Sequence, residues 1–192
     1  MSRLRSLTRP LTIAAAALAL TAGTATAQAG LLSTVQTVSI NATKATSLTV
    51  TINSGATQTL ATLNDNAVNS FTTPVNITTA WDINPSASSV SLVAYFTTAA
   101  QALANGTDYI ASSLVKGRVT TGTPTSFTAF TGNAVGGAGS AGGSLTLFTQ
   151  AITGLNKQAN RTDNLDLQID LTGQTATAGT YTGTLNLRAV TQ

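Results

Sequence analysis

The chain has 192 residues, of which 42% are hydrophobic and only 8% charged, with nine basic side chains against six acidic ones and a formal charge of +3. It contains no His and no Cys, and all its acidic residues are Asp, which excludes a Ser-His-Asp triad, a Cys nucleophile and the ordinary His/Cys zinc site. No Asp pair in apolar, aromatic-lined surroundings is visible, so glycoside hydrolysis is also disfavoured, and neither an enzyme nor a cofactor is expected.

In chain order, the first element is a leader. Arg3, Arg5 and Arg9 precede an apolar run over residues 11–20, and small residues follow. Both Ala25-Thr26-Ala27 and Ala27-Gln28-Ala29 fit the A-x-A cleavage pattern, so residues 1–29 read as a secretory signal peptide cut after Ala27 or Ala29. Ten apolar residues are half of the ~20 that cross a hydrocarbon core. There is no Arg-Arg pair and no Cys to carry a lipid. Export by the general secretory route is expected, to the periplasm, the cell surface or the medium, with no integral membrane segment after cleavage.

Removing the leader changes the electrostatics. Lys44, Lys116, Arg118, Lys157, Arg161 and Arg188 remain against Asp65, Asp82, Asp108, Asp163, Asp166 and Asp170, six against six. The pI of about 9.7 for the whole chain therefore does not describe the exported part. A nucleic-acid partner would require a basic patch, and a membrane-surface helix a basic face; neither is present in the sequence.

The rest, residues 30–192, is the length of one domain and is rich in Thr, Ser, Asn, Gly and Ala, as suits sheets with a solvated face. Residues 31–40 (LLSTVQTVSI) form a short apolar-polar run. Residues 47–53 alternate cleanly, with Leu48, Val50 and Ile52 on one face, and Asn53-Ser54-Gly55 ends them. Strands are expected over 75–83, over 89–97 (the most apolar), over 110–120 and over 126–131, with a helical turn in 98–106. The half-glycine stretch 132–143 reads as a mobile hairpin connection; it lacks the Gly-Lys-Ser/Thr of a phosphate loop. Strands over 144–152, 165–171 and 180–190 complete the chain. Eight or nine short strands with almost no helix predict an all-β fold, an immunoglobulin-like β-sandwich.

Three groups of residues invite functional readings. Asp163, Asp166 and Asp170 with Asn160 and Asn164 could offer oxygens to calcium, although the alternation through 165–171 makes Asp166, Gln168 and Asp170 simply the wet face of a strand. Trp81 and Tyr95 are candidate ligand-contacting aromatics for a sugar, against the alternative of core packing. Asn41, Asn76, Asn105 and Asn160 head Asn-x-Ser/Thr sequons, which a chain this rich in Asn and Thr generates by composition.

The closing stretch Ala178-Gly179-Thr180-Tyr181-Thr182-Gly183-Thr184-Leu185-Asn186-Leu187 resembles the "aGtYtGtltl" ending of bacterial secreted β-sandwich surface domains, of the spore-coat-protein-U, fimbrial-subunit and WxL wall-binding types. The nearest match to the WxL signature, Trp81-Asp82-Ile83, lacks the Leu, and the Cys pair of many fimbrial subunits is missing. The resemblance implies a secreted, non-enzymatic structural or adhesive cell-surface protein, a fimbria-like subunit capable of self-association. A carbohydrate- or cell-wall-binding module using Trp81 or Tyr95 is the alternative. Residues 31–40 are then either the first strand of their own domain or a donor strand for a neighbour's sheet edge.

Overall fold

Alternating stretches become strands where a partner can pair with them, and the strand pairing among the described residues is wholly antiparallel. The computed structural model describes residues 32–84 and 86–192. The leader expected over residues 1–29 lies outside them. The chain divides into two units, Met1–Ala42 and Thr43–Gln192. Within the first, described residues 32–42 form no strand and are exposed throughout.

The second unit carries eleven strands: β1 (Ser47–Ser54), β2 (Val68–Ser70), β3 (Val75–Asp82), β4 (Ser89–Tyr95), β5 (Leu103–Asn105), β6 (Asp108–Ile110), β7 (Val115–Val119), β8 (Thr128–Ala129), β9 (Ser144–Ala151), β10 (Gln158–Asp170) and β11 (Asn186–Thr191). One sheet runs β1-β3-β10-β7-β8, with β2 also paired to β10; a second runs β11-β4-β9; β5 and β6 form a separate hairpin. The expected all-β class is therefore observed. The strands beyond the predicted eight or nine are two- or three-residue ladders too short to show a period.

Sheet one is amphipathic. On β3, Val75, Ile77, Thr79 and Trp81 are buried while the residues between them are half-buried, the two-residue alternation of a pleated strand. Val75, Ile77, Leu165 and Leu167 meet Val90, Leu92, Leu145 and Leu147 of sheet two in a single core. Gly117 on β7 lets the layers approach, because a Cβ there would lie 3.0 Å from both Leu145 Cδ2 and Leu165 Cδ1. The outer face explains the Thr and Asn content. Asn53 Nδ2 donates to Asn76 Oδ1 (2.7 Å) and Thr78 Oγ1 (2.8 Å), Asn76 Nδ2 to Asn164 Oδ1 (2.6 Å), and the Thr78 and Thr162 hydroxyls bond at 2.9 Å.

Four expectations change. Residues 32–40, the described part of the run expected as a strand over 31–40, form no strand. The strand expected over 165–171 begins at Gln158, because β3 supplies partners from Gln158↔Asp82 to Leu165↔Val75, overriding a polar stretch that reads as loop. The closing strand shrinks to Asn186–Thr191. The glycine stretch 132–143 is folded, with reciprocal Val135 and Ala138 backbone bonds of 2.7 and 2.8 Å and Arg188 Nη1 donating to the Gly137 carbonyl. Gly136 packs beside Val190 of β11.

Candidate functional site

Among the described residues, β1 and β11 are terminal strands, each with a backbone partner on one side only, and they meet along one corner of the second unit. Where β1 ends and the chain enters β11, the two sheets part around a cavity of about 610 Å³. Ile52, Leu60 and Phe71 line it on the side of sheet one, Leu185 and Leu187 on the side of sheet two, and Val75 forms part of the floor. Among the described residues, no charged side chain lines it. The site can take apolar groups, and it offers no acid, base or metal ligand set.

One wall of this groove depends on a glycine. Ala104 N–H donates to the Thr182 carbonyl at 2.8 Å and Thr182 N–H to the Ala104 carbonyl at 2.9 Å. A Cβ on the next residue, Gly183, would collide with the Ala102 carbonyl oxygen, so only glycine lets residues 180–185 lie this close. That contact takes the stretch away from β4 and shortens β11. Tyr181, Leu185 and Leu187 pack against the core as partly buried side chains. Leu60 and Phe71 fall in a stretch that reads as a polar loop, and their only sequence signal is that they are isolated apolar residues there.

The second feature lies on the N-terminal unit. Leu32, Val35, Val38 and Ile40 are 97%, 88%, 84% and 87% exposed. These are four large aliphatic side chains in nine residues, all in solvent.

Trp81 and Tyr95 are not brought together. Trp81 is 5% exposed, and its Nε1 donates to the Asn156 carbonyl at 2.8 Å, as a buried indole requires. Tyr95 is half-buried at the far end of β4, in the other sheet, paired with Asn186 and Ser144.

The Asp residues are distributed over both faces of β10. Asp166 accepts from Arg118 Nε at 2.9 Å, and Asp170 from Lys116 Nζ at 2.6 Å and the Thr172 amide at 3.0 Å. Asp163 faces inward, where it is 1% exposed, and it accepts from Arg161 Nε (2.7 Å), Arg161 Nη2 (2.6 Å) and Thr121 Oγ1 (2.7 Å). Each carboxylate of the group therefore has a cation as partner. Asn164, offered with them as a calcium ligand, accepts instead from Asn76. The hydroxyl of Thr79, opposite Arg161 in register, is buried with no hydrogen-bond partner.

The Lys116 bond, aided by Thr172, holds the Asp170 carboxyl well below its ordinary value of 3.8. A depressed folded-state pKa adds stability above the unfolded pKa, and that contribution is lost as pH falls below it. Asp170→Asn is therefore expected to lower the melting temperature at pH 7 and to flatten its decline below about pH 4. Thermal melts of both chains between pH 7 and pH 2 test this; parallel curves would refute it.

No family model, no curated protein and no solved structure matches this chain.

Proposed function

We propose that this chain is an exported, non-enzymatic structural or adhesive subunit of the fimbria-like kind, with an immunoglobulin-like sandwich as its body, that self-associates through its N-terminal segment. The observation that carries the reading is the exposure of Leu32, Val35, Val38 and Ile40, between 84% and 97%. Burying one such side chain is worth about 1.5–3 kcal/mol, so four hold roughly 6–12 kcal/mol before the ordering cost of association. The absence of His, Cys and Glu supports a non-enzymatic role, and the leader supports export to the periplasm, the cell surface or the medium. The two antiparallel sheets over one core support the immunoglobulin-like body. Nothing in the geometry favours the carbohydrate- or wall-binding alternative, because the Trp81 indole is buried.

Size-exclusion chromatography with light scattering and negative-stain microscopy on the mature chain tests the reading. The wild type is expected to form concentration-dependent oligomers or fibres. Val38→Asp/Ile40→Asp is expected to be monomeric with an unchanged melting temperature, since neither side chain is buried. A wild type that stays monomeric up to high concentration overturns it.

A further inference from the structure

We infer that Asn105 is a self-modifying site: it loses ammonia by reaction with the Gly106 amide, and the loss unfastens the segment 178–183 that its side chain holds against β5.

Asn105-Gly106 is the single Asn-Gly pair in the chain. It closes the β5–β6 hairpin, in which Asn105 pairs with Asp108 across Gly106 and Thr107. Gly106 has a φ of +64°, a positive value of the kind a two-residue turn asks of its first central residue. Nothing lies within 4 Å of the place a Cβ would take on it, and both turn residues are exposed, so solvent reaches this peptide. Among the described residues the Gly106 N–H makes no backbone hydrogen bond. The hairpin consists of two three-residue strands outside both larger sheets, a unit small enough to open locally at low cost. Opening frees the Gly106 nitrogen to approach the Asn105 side chain.

The chemistry needs only water. Hydroxide takes the Gly106 amide proton, and the nitrogen attacks Asn105 Cγ. The Cγ–Nδ2 bond then breaks, and ammonia leaves with a proton returned from water. The cyclic imide takes up one water molecule and opens either to aspartate or to isoaspartate, in which the main chain runs through Cγ. A side chain on the following residue would crowd the attacking nitrogen, and glycine has none.

The consequence follows from what the amide touches. Asn105 Nδ2 donates to the Ala178 carbonyl at 3.4 Å. A Cβ on Gly179 would fall 2.7 Å from Asn105 Cγ and 2.8 Å from its Oδ1, so the amide lies directly on the Gly179 backbone. One residue earlier, Ala104 and Thr182 exchange both backbone bonds. Asn105 therefore holds the start of a segment whose residues 179–185 form one wall of the groove. A carboxylate is an acceptor only, so it loses the bond and faces the Ala178 carbonyl oxygen instead. It also stands opposite Asp108, and like charges directly opposite destabilise a ladder. Isoaspartate lengthens the main chain by one atom and breaks the Asn105↔Asp108 register.

To test this, the mature chain would be incubated at mildly alkaline pH, folded and in urea, then digested and its aspartyl and isoaspartyl peptides separated for mass spectrometry. In the folded chain, conversion at Asn105 is expected to run at least about tenfold faster than at any other Asn, because only there does glycine follow. It should accelerate as pH rises. Hydrogen exchange then compares fresh wild type with Asn105→Asp and with Asn41→Asp, which adds the same charge at an exposed residue of the N-terminal unit. Amides of 178–183, above all that of Thr182, are expected to exchange at least about fivefold faster in Asn105→Asp and at the wild-type rate in Asn41→Asp. Aged wild type, enriched in the acid form by ion exchange, gives the same reading if the variant does not fold. An Asn105 that stays intact in the folded chain while the unfolded chain converts overturns the inference. Conversion that leaves the exchange of 178–183 at the level of the fresh protein overturns it equally.

Discussion

Arg161→Ala is expected to destabilise the second unit by about 3–5 kcal/mol, the usual result of removing one partner from a buried ion pair. For a domain of this size that lowers the melting temperature by roughly 10 °C or more. Asp163 is 1% exposed, and two of its three hydrogen bonds come from the Arg161 guanidinium. Without that group a carboxylate is left buried with one hydroxyl, and it must either stay charged in a poor solvent or take up a proton. The guanidinium also donates from Nη2 to the Thr121 carbonyl at 3.0 Å and lies 4.1 Å over the Phe148 ring. It therefore joins the turn after β7 to the end of sheet one. The double replacement Arg161→Met/Asp163→Leu separates the two contributions. It removes both charges and should recover most of the loss, since apolar residues often substitute for a buried pair without penalty. Urea unfolding measures both, and a single variant within about 1 kcal/mol of wild type would show that the pair is dispensable.

Phe130→Ala is expected to lose about 3–5 kcal/mol, the range for deleting a fully buried aromatic ring. Phe130 is completely buried. Its ring stands edge-on to Phe96, with centroids 5.3 Å apart at 70°, and fills the space that Gly117 leaves open, 3.3 Å from where a Cβ would be. Its amide donates to the Val115 carbonyl at 3.1 Å, so the backbone cannot easily collapse into the vacated volume. Phe130→Leu, which keeps most of that volume, should lose less than half as much. Equal urea midpoints for the wild type and the Ala variant would refute the packing account. Neither Arg161 nor Phe130 lies in the N-terminal segment, so both variants should still assemble at temperatures where they remain folded.

The expectations that failed share a cause. Residues 158–164 (QANRTDN) have no apolar alternation, because their inward positions carry Arg161 and Asp163, which neutralise each other inside the fold. A charged pair in a core cannot be distinguished from a loop until the partner strand β3 is known. The Trp81 side chain suits a ligand and the core equally well on local pattern. The Asn156 carbonyl that satisfies its indole lies seventy-five residues away, beyond the reach of any such pattern. In the glycine stretch 132–143, composition alone suggests mobility. The bonds that fold it reach Arg188, and Gly136 packs beside Val190, both in the last strand.

By itself, the sequence determined the class of the protein. Two-residue alternation between turn residues is a local consequence of the pleat, so β1 and β9 can be located from it, while β4 is located by its apolar run. The missing His, Cys and Glu limit the chemistry whatever the fold, because side chains that are not in the chain cannot be brought together by folding it. The expectation of export rests on the leader alone. Only the tertiary structure decided which strands would find partners, which carboxylate would be buried, and that two strand edges would be left open beside an apolar groove. Those outcomes depend on pairings between residues far apart in the chain, and a backbone edge is free only after every other strand has been placed.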